Sequence, residues 1–242
     1  MNKTVLSWSS GKDAAYTLHR LIKTQRKPDL LLTTVNQDYE RVSMHGLRNE
    51  LLEQQAGALN IPLHKIPLAA NVDMATYNQI MTEHLTRFKN EGYNTVYFGD
   101  IFLEDLKKYR INQMQKIAMQ AKFPIFGRDT KYLAQKIIDT GIKAVVVSVN
   151  AKLLDQNFVG RPFDSDFLKD LPANVDWCGE NGEFHTFVYD SPDFNKPVPY
   201  QLGEKTFKTY KPCSKKDQNH YNKNVKNTSW DSGFWYIDIL LK

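Results

Sequence analysis

Cysteine is scarce in this 242-residue chain: only Cys178 and Cys213 occur, with no CxxC and no His/Cys cluster at zinc spacing. A disulfide scaffold and a zinc ribbon are thereby excluded, and two reduced thiols in a cytoplasmic protein are expected. Long apolar runs are missing as well. The stretch 4–8 after Met1-Asn2-Lys3 is too short for a signal-peptide core, and no segment is long enough to span a membrane. Two nucleotide fingerprints are absent: no GxxxxGK[ST] and no GxGxxG. Excess charge of one sign is confined to one place. Between 200 and 227 seven lysines face Glu204 and Asp217, so the whole net charge of +5 arises there and the rest of the chain is neutral. This Lys/Asn-rich segment reads as a solvated loop. Its aromatic residues do not alternate with basic ones along a clear face, which argues against nucleic acid as a partner.

What is present is a regular alternation of apolar patterns. Residues 4–8 form a buried strand, and Ala14, Ala15, Leu18, Leu21 and Ile22 then mark one helix face. Strands at 30–35, 61–66, 95–98 and 144–149 are expected, with helices at 47–59, 76–89 and 106–120 and an extended piece at 123–126. Asp129 is positioned to cap a helix over 131–139. Such alternation predicts an α/β fold: a parallel twisted sheet with helices on both faces. After Asn150 the helical spacing fades, and 184–189, 205–210 and 234–241 have strand character. The expected organisation is therefore a first domain over 1–150 and a smaller α+β region over 151–242. Ligands of parallel sheets bind beyond the strand carboxyl ends, so Ser9 to Asp13, Asn36, Gly99, Asp100 and Asn150 should share one rim.

Ser9-Ser10-Gly11-Lys12-Asp13 falls at the first strand–helix junction, where free helix amides and the positive dipole end meet an anion. The two hydroxyls add donors, Gly11 admits close approach, and Lys12 adds charge. Further along, Cys178-Gly179-Glu180-Asn181-Gly182-Glu183-Phe184-His185-Thr186 places two carboxylates three apart around an Asn-Gly turn. If this stretch is a strand, Glu183 and His185 share a face. Acid and imidazole together suit proton transfer; a hairpin with solvated carboxylates has the same spacing.

Residues 9–14 resemble the SGGxDS signature of the N-type ATP pyrophosphatases, the PP-loop enzymes of HUP-like fold. Ser10 stands for the second glycine and Ala14 for the final serine; one lost hydroxyl–phosphate bond costs about 1.5–3 kcal/mol. Together with the GENGEFHT stretch, the chain is similar to the diphthine–ammonia ligase family. Met44-His45-Gly46, Gly99-Asp100-Ile101, Pro124 to Arg128, Phe158 to Arg161 and Phe234 to Asp238 match as well. The resemblance implies a ligase that adenylates a carboxylate with ATP, releases pyrophosphate and forms an amide with ammonia. It places ATP on Ser9, Ser10, Gly11, Lys12 and Asp13, with Mg2+ bridging phosphate oxygens through Asp13. Lys12 would offset charge on the leaving pyrophosphate. Thr34, Val35, Met44, His45, Gly46 and Gly99 would line the nucleotide, although His45 equally suits a helix start. Glu180, Glu183, His185 and Thr186 would handle the acyl substrate and ammonia, with Asp100, Arg110 and Arg128 holding the substrate. A homo-oligomer is left open. Two other readings are an RNA-modifying PP-loop enzyme, which two isolated cysteines do not favour, and a nucleotide sensor with little turnover.

Overall fold

The computed structural model describes residues 3–39, 41–42, 46–70, 72–210 and 232–242. The chain begins β1 (Lys3–Ser7), α1 (Lys12–Lys23), β2 (Leu30–Asn36), β3 (Arg41–Val42), α2 (Asn49–Leu59) and β4 (Leu63–Leu68). It continues α3 (Met74–Asn90), β5 (Tyr93–Tyr97), α4 (Glu104–Lys116), β6 (Gln120–Lys122), α5 (Thr130–Asp139) and β7 (Lys143–Asn150). It closes with α6 (Ser165–Asp170), β8 (Phe184–Asp190), β9 (Tyr200–Tyr210) and β10 (Ser232–Leu241).

The first sheet runs β4–β2–β1–β5–β6, all parallel, with the short β3 antiparallel to the end of β2. Its two faces follow the strand period of two. Leu6, Leu31 and Tyr97 join a core with α1, α2 and α5, whereas Val5, Leu32 and Val96 join Leu85 and Phe88 of α3 and Met114 of α4. Helices therefore cover both faces, as expected. From β1 the chain winds out through β2 to β4, then returns to the other side at β5. The switch point lies between β1 and β5, the place where such sheets leave a crevice. Local signals agree: Asp73 caps α3 by accepting from the Thr76 amide at 2.7 Å, and Asp129 caps α5 through the Tyr132 amide at 2.8 Å.

Two expectations are corrected. The strand at 144–149 does not join the parallel sheet. It forms β7, central in an antiparallel sheet of order β8–β7–β10–β9. An apolar run buried on both faces looks the same in either kind of sheet, so the Val-rich pattern could not decide between them. The change of sheet thus precedes β7, while the boundary expected near 150 falls at its end. Second, the helix expected to reach 120 stops at Lys116, Ala118 turns with φ +54°, and Gln120–Lys122 pairs with β5. This edge strand is polar and largely exposed, so it left no apolar pattern, and 124–127 is a turn rather than an extended piece.

Candidate active site

The junction after β1 is fixed from three directions. The Trp8 amide extends the ladder to the Leu32 carbonyl at 2.8 Å, and Thr33 Oγ1 donates to the Trp8 carbonyl at 2.6 Å. Gln55 of α2, fully buried, accepts from Trp8 Nε1 at 2.9 Å and donates Nε2 to the carbonyls of Ser10 and Val188. The Val188 amide of β8 donates to the same Ser10 carbonyl at 3.0 Å. Gly99 at the end of β5 presses on the start of α1; a Cβ there would lie 3.3 Å from the Ala14 amide nitrogen and the Asp13 carbonyl group. A side chain there would push the two backbones apart by a few tenths of an ångström.

α1 has no cap of its own, because Gly11 brings no side chain. Thr186 supplies one from β8: its Oγ1 accepts from the Lys12 amide at 3.1 Å. The first amides of a helix otherwise lack intrahelical acceptors. Two side-chain oxygens here are buried and without a hydrogen-bond partner, Ser10 Oγ and Asp13 Oδ1. The Ser10 hydroxyl can donate to an anion and the Asp13 oxygen can accept a counter-cation, at the positive end of a helix.

Behind the loop, Lys12 is 2% exposed. Its Nζ donates to Asp13 Oδ2 at 2.9 Å and to the Cys178 carbonyl, and lies 5.4 and 5.2 Å from the ring centres of Phe163 and Phe184. Burial alone would lower the ammonium's pKa, but Asp13 and Cys178 outweigh it and hold the pKa above its usual value. Burial likewise raises Asp13 against the pull of Lys12. Glu180 Oε1 accepts from the Ile101 amide at 2.7 Å. Burial, then the negative charge of Asp13, push this carboxyl up to about 7 despite that bond. Cys178 is an inert thiol: burial pushes it up, and Sγ donates to the Thr130 carbonyl at 3.4 Å.

The two glutamates of the second motif have different surroundings. Glu183, 3% exposed, accepts from the amides of Asp176 and Asn181 at 3.1 and 2.9 Å and from Asn181 Nδ2 at 3.0 Å. It is spent on folding its own loop, in which Asp176 Oδ1 also takes the amides of Cys178 and Glu180. Glu183 precedes β8, so the expectation that it shares a strand face with His185 is not met. His185 is half-buried opposite Ser148 of β7, where the register slips.

Asp100 and Arg110, both expected to hold substrate, hold each other: Nε lies 2.6 Å from Oδ2, and Nη2 donates to Oδ1 at 3.1 Å. Asp100 does not cap α4, whose first flanking residue is Leu103. Arg128 is exposed beside the Gly127 turn. Val35 is buried in the core and Thr34 half-buried beside it. Met44 and His45 lie outside the described residues, and Gly46 accepts from Arg41 Nη1 at 2.6 Å. Ser9, Ser10, Gly11, Lys12, Asp13, Gly99, Asp100 and Asn36 share the rim of the first sheet; Asn150 is the last residue of β7 in the other sheet and donates its amide to the Glu183 carbonyl at 2.8 Å.

The sequence did not point to Gln55, Asp176 or the role of Asp238. Asp238 of β10 accepts from Arg41 at 3.0 Å and Arg48 at 2.7 Å, tying the last strand to the segment around β3 and α2. Burial pushes its pKa up, but the hydrogen bonds from Arg48 and Arg41 prevail and hold it at about 2. The carboxyl's stabilisation is thus present above its ordinary pKa of 3.8 and lost as pH falls toward 2. We expect Asp238→Asn to cost about 1 kcal/mol at neutral pH, since the pair is partly solvated, and to flatten the acid limb of an unfolding-versus-pH curve.

Among the described residues no group of three or more His, Cys, Asp or Glu side chains is placed to hold a metal ion, and no helix is long and apolar enough to cross a membrane. Models of the diphthamide synthase N-terminal and C-terminal domains match residues 2–120 and 129–218. The diphthine–ammonia ligase of Bos taurus is 31% identical over 102 residues, 40% of this chain and 38% of the bovine protein. The Homo sapiens protein of the same name is 29% identical over 102 residues, with the same shares. The match thus spans about two fifths of these curated relatives. A predicted subunit of tRNA methyltransferase from Methanocaldococcus jannaschii, 15% identical, aligns over 82% of this chain and all of its own with a TM-score of 0.42.

Proposed function

Because the chain belongs to the diphthine–ammonia ligase-like family, both of whose diphthamide synthase domain models it matches, we propose that it is an ATP-dependent ligase that activates a carboxylate as its adenylate and transfers the acyl group to ammonia. One observation carries this reading. A carboxyl that titrates near neutrality, Glu180, is held by the Ile101 amide just past β5 and feels the charge of Asp13, whose Oδ1, like Ser10 Oγ, is unpartnered. An anion cradle and a proton acceptor are what the two half-reactions need.

In the first half-reaction a carboxylate oxygen attacks the α-phosphorus of ATP, and pyrophosphate leaves with the bonding pair. The α1 amides, Ser10 Oγ and the positive field of Lys12 oppose the charge that accumulates on the leaving group. Lys12 acts from beneath the loop, since its ammonium is bound to Asp13 and the Cys178 carbonyl. Asp13, with one free oxygen, would hold a Mg2+ ion, which would supply further charge neutralisation there. In the second half-reaction ammonia attacks the acyl carbon, AMP departs, and Glu180 takes the proton that ammonia must lose. Thr186 acts as a positioning residue through the Lys12 amide, and Glu183 through its loop.

The test is to incubate the protein with α-labelled ATP, an ammonium salt and candidate carboxylates, including an extract as a source of acceptor. AMP and pyrophosphate are expected; ADP would refute the assignment of the bond broken. A base must be ionised, so the amide-forming rate should rise with pH through about 7. Glu180→Gln should reduce amide formation about 100-fold, remove that rise, and spare adenylate formation. Equal loss of both steps would instead give Glu180 a role in binding ATP. A nucleotide sensor, favoured by the departures at Ser10 and Ala14, would leave bound ATP intact.

A further inference from the structure

Away from the phosphate loop, the C-terminal end of α1 borders a cavity of about 310 Å³ that reaches β5 and the turn after β6. Arg20, Arg26 and Lys122 line it, beside Tyr97, Phe123 and Pro124, and no carboxylate does. The three cations come from separate parts of the chain: the last turn of α1, the connection to β2, and the end of β6. None makes an ion pair or side-chain hydrogen bond among the described residues. Elsewhere this chain pairs its surface cations readily, as in Lys65–Glu53, Arg87–Glu91, Lys143–Asp190 and Arg161–Asp170.

Complementing the negative end of α1 accounts for Arg20. It does not account for Arg26 or Lys122, which belong to no part of that helix. Three like charges around one concavity repel one another, and the field they focus there attracts an anion. Tyr97 adds an independent sign. It is 5% exposed, it lines the cavity, and its hydroxyl is bonded to none of the described residues. The hydroxyl is not sealed from solvent, so an anion in the cavity can accept from it.

We propose that this cavity binds a small phosphate-class anion, a pyrophosphate or a phosphate monoester, with Arg20, Arg26 and Lys122 on its oxygens and Tyr97 donating to it. Phe123 and Pro124 leave room for an apolar ester group. Arg20 lies eight residues beyond Lys12 on α1, about 12 Å along the axis, and no residue of the phosphate loop lines the cavity, so the two sites are separate.

Calorimetric titration of the full chain with pyrophosphate, in the presence of saturating α,β-methylene ATP, tests the proposal. Binding should persist with the loop occupied and weaken about tenfold or more in Arg20→Ala and in Lys122→Ala, with Tyr97→Phe also weakened. Lys23→Ala removes an exposed charge from the same turn outside the cavity and should bind as the parent does. A phenyl phosphate that binds more tightly than inorganic phosphate would identify the monoester as the ligand class; the reverse order would favour pyrophosphate. The proposal is overturned if pyrophosphate binding vanishes with the analogue bound, if Arg20→Ala and Lys122→Ala bind normally, or if Lys23→Ala weakens binding as much as they do. Should the analogue itself fail to bind, the loop assignment fails, and the Arg20→Ala and Lys122→Ala comparison with pyrophosphate alone still decides this one.

Discussion

Lys12→Met is expected to lower the melting temperature by about 10 °C or more and to reduce AMP release by at least about 100-fold. The side chain is 2% exposed, and its ammonium pairs with the partly buried carboxylate of Asp13 while satisfying the Cys178 carbonyl. Methionine fills the slot between Phe163 and Phe184 but leaves both partners unpaired. Removing one member of a fully buried pair costs about 3–5 kcal/mol; with Asp13 a quarter exposed the lower end applies, about 3 kcal/mol, still a large share of a typical domain's stability. Asp13 would then bind its proton more readily, which removes the carboxylate proposed to meet the metal–phosphate complex. Thermal unfolding and AMP release, the latter assayed below both melting points, separate the two effects. A protein that melts lower but turns over at the parental rate in the cold would reduce Lys12 to a structural clamp.

The clamp explains why two motifs so distant in the chain form one site. Lys12 and Thr186 are 174 positions apart, yet the threonine hydroxyl caps the N-terminus of α1. The Ser10 carbonyl is likewise held by Val188 and Gln55, from β8 and α2. The second sheet is therefore part of the phosphate loop's support. A substitution in β8 should act on nucleotide affinity without touching the nucleotide.

What the sequence made legible follows the same division. The strand–helix junction at Ser9 to Asp13 and the close approach at Gly99 could be read because glycine and short side chains there have a local cause. β7 was visible as a strand but not as a member of the second sheet, since its partners lie far off in sequence. Lys12 and Glu183 could not be separated from surface charges by spacing; only burial and hydrogen bonds show that one is locked under the loop and the other inside its own turn. Asp238 stood in a quoted stretch, but its partners Arg41 and Arg48 carry no pattern that links them to it. Pairwise charge contacts between distant segments leave no periodic trace.

Ser10→Gly should give effects of opposite sign on stability and on nucleotide binding. Ser10 has φ +70°, a left-handed conformation that glycine adopts freely and other residues at about 1–2 kcal/mol. Its hydroxyl is also fully buried without a partner, a further cost of about 1–3 kcal/mol. Glycine removes both penalties and loses part of the gain to the greater freedom of its unfolded chain, so chemical denaturation should show a net gain of about 1–2 kcal/mol. If the hydroxyl is a phosphate donor, the same protein should bind ATP about ten- to a hundredfold more weakly. The two changes together would mean that this chain retains a strained serine because the ligand satisfies it. Stability gained at unchanged affinity would instead leave phosphate binding to the helix amides, with Ser10 a tolerated departure from the glycine of the SGGxDS signature.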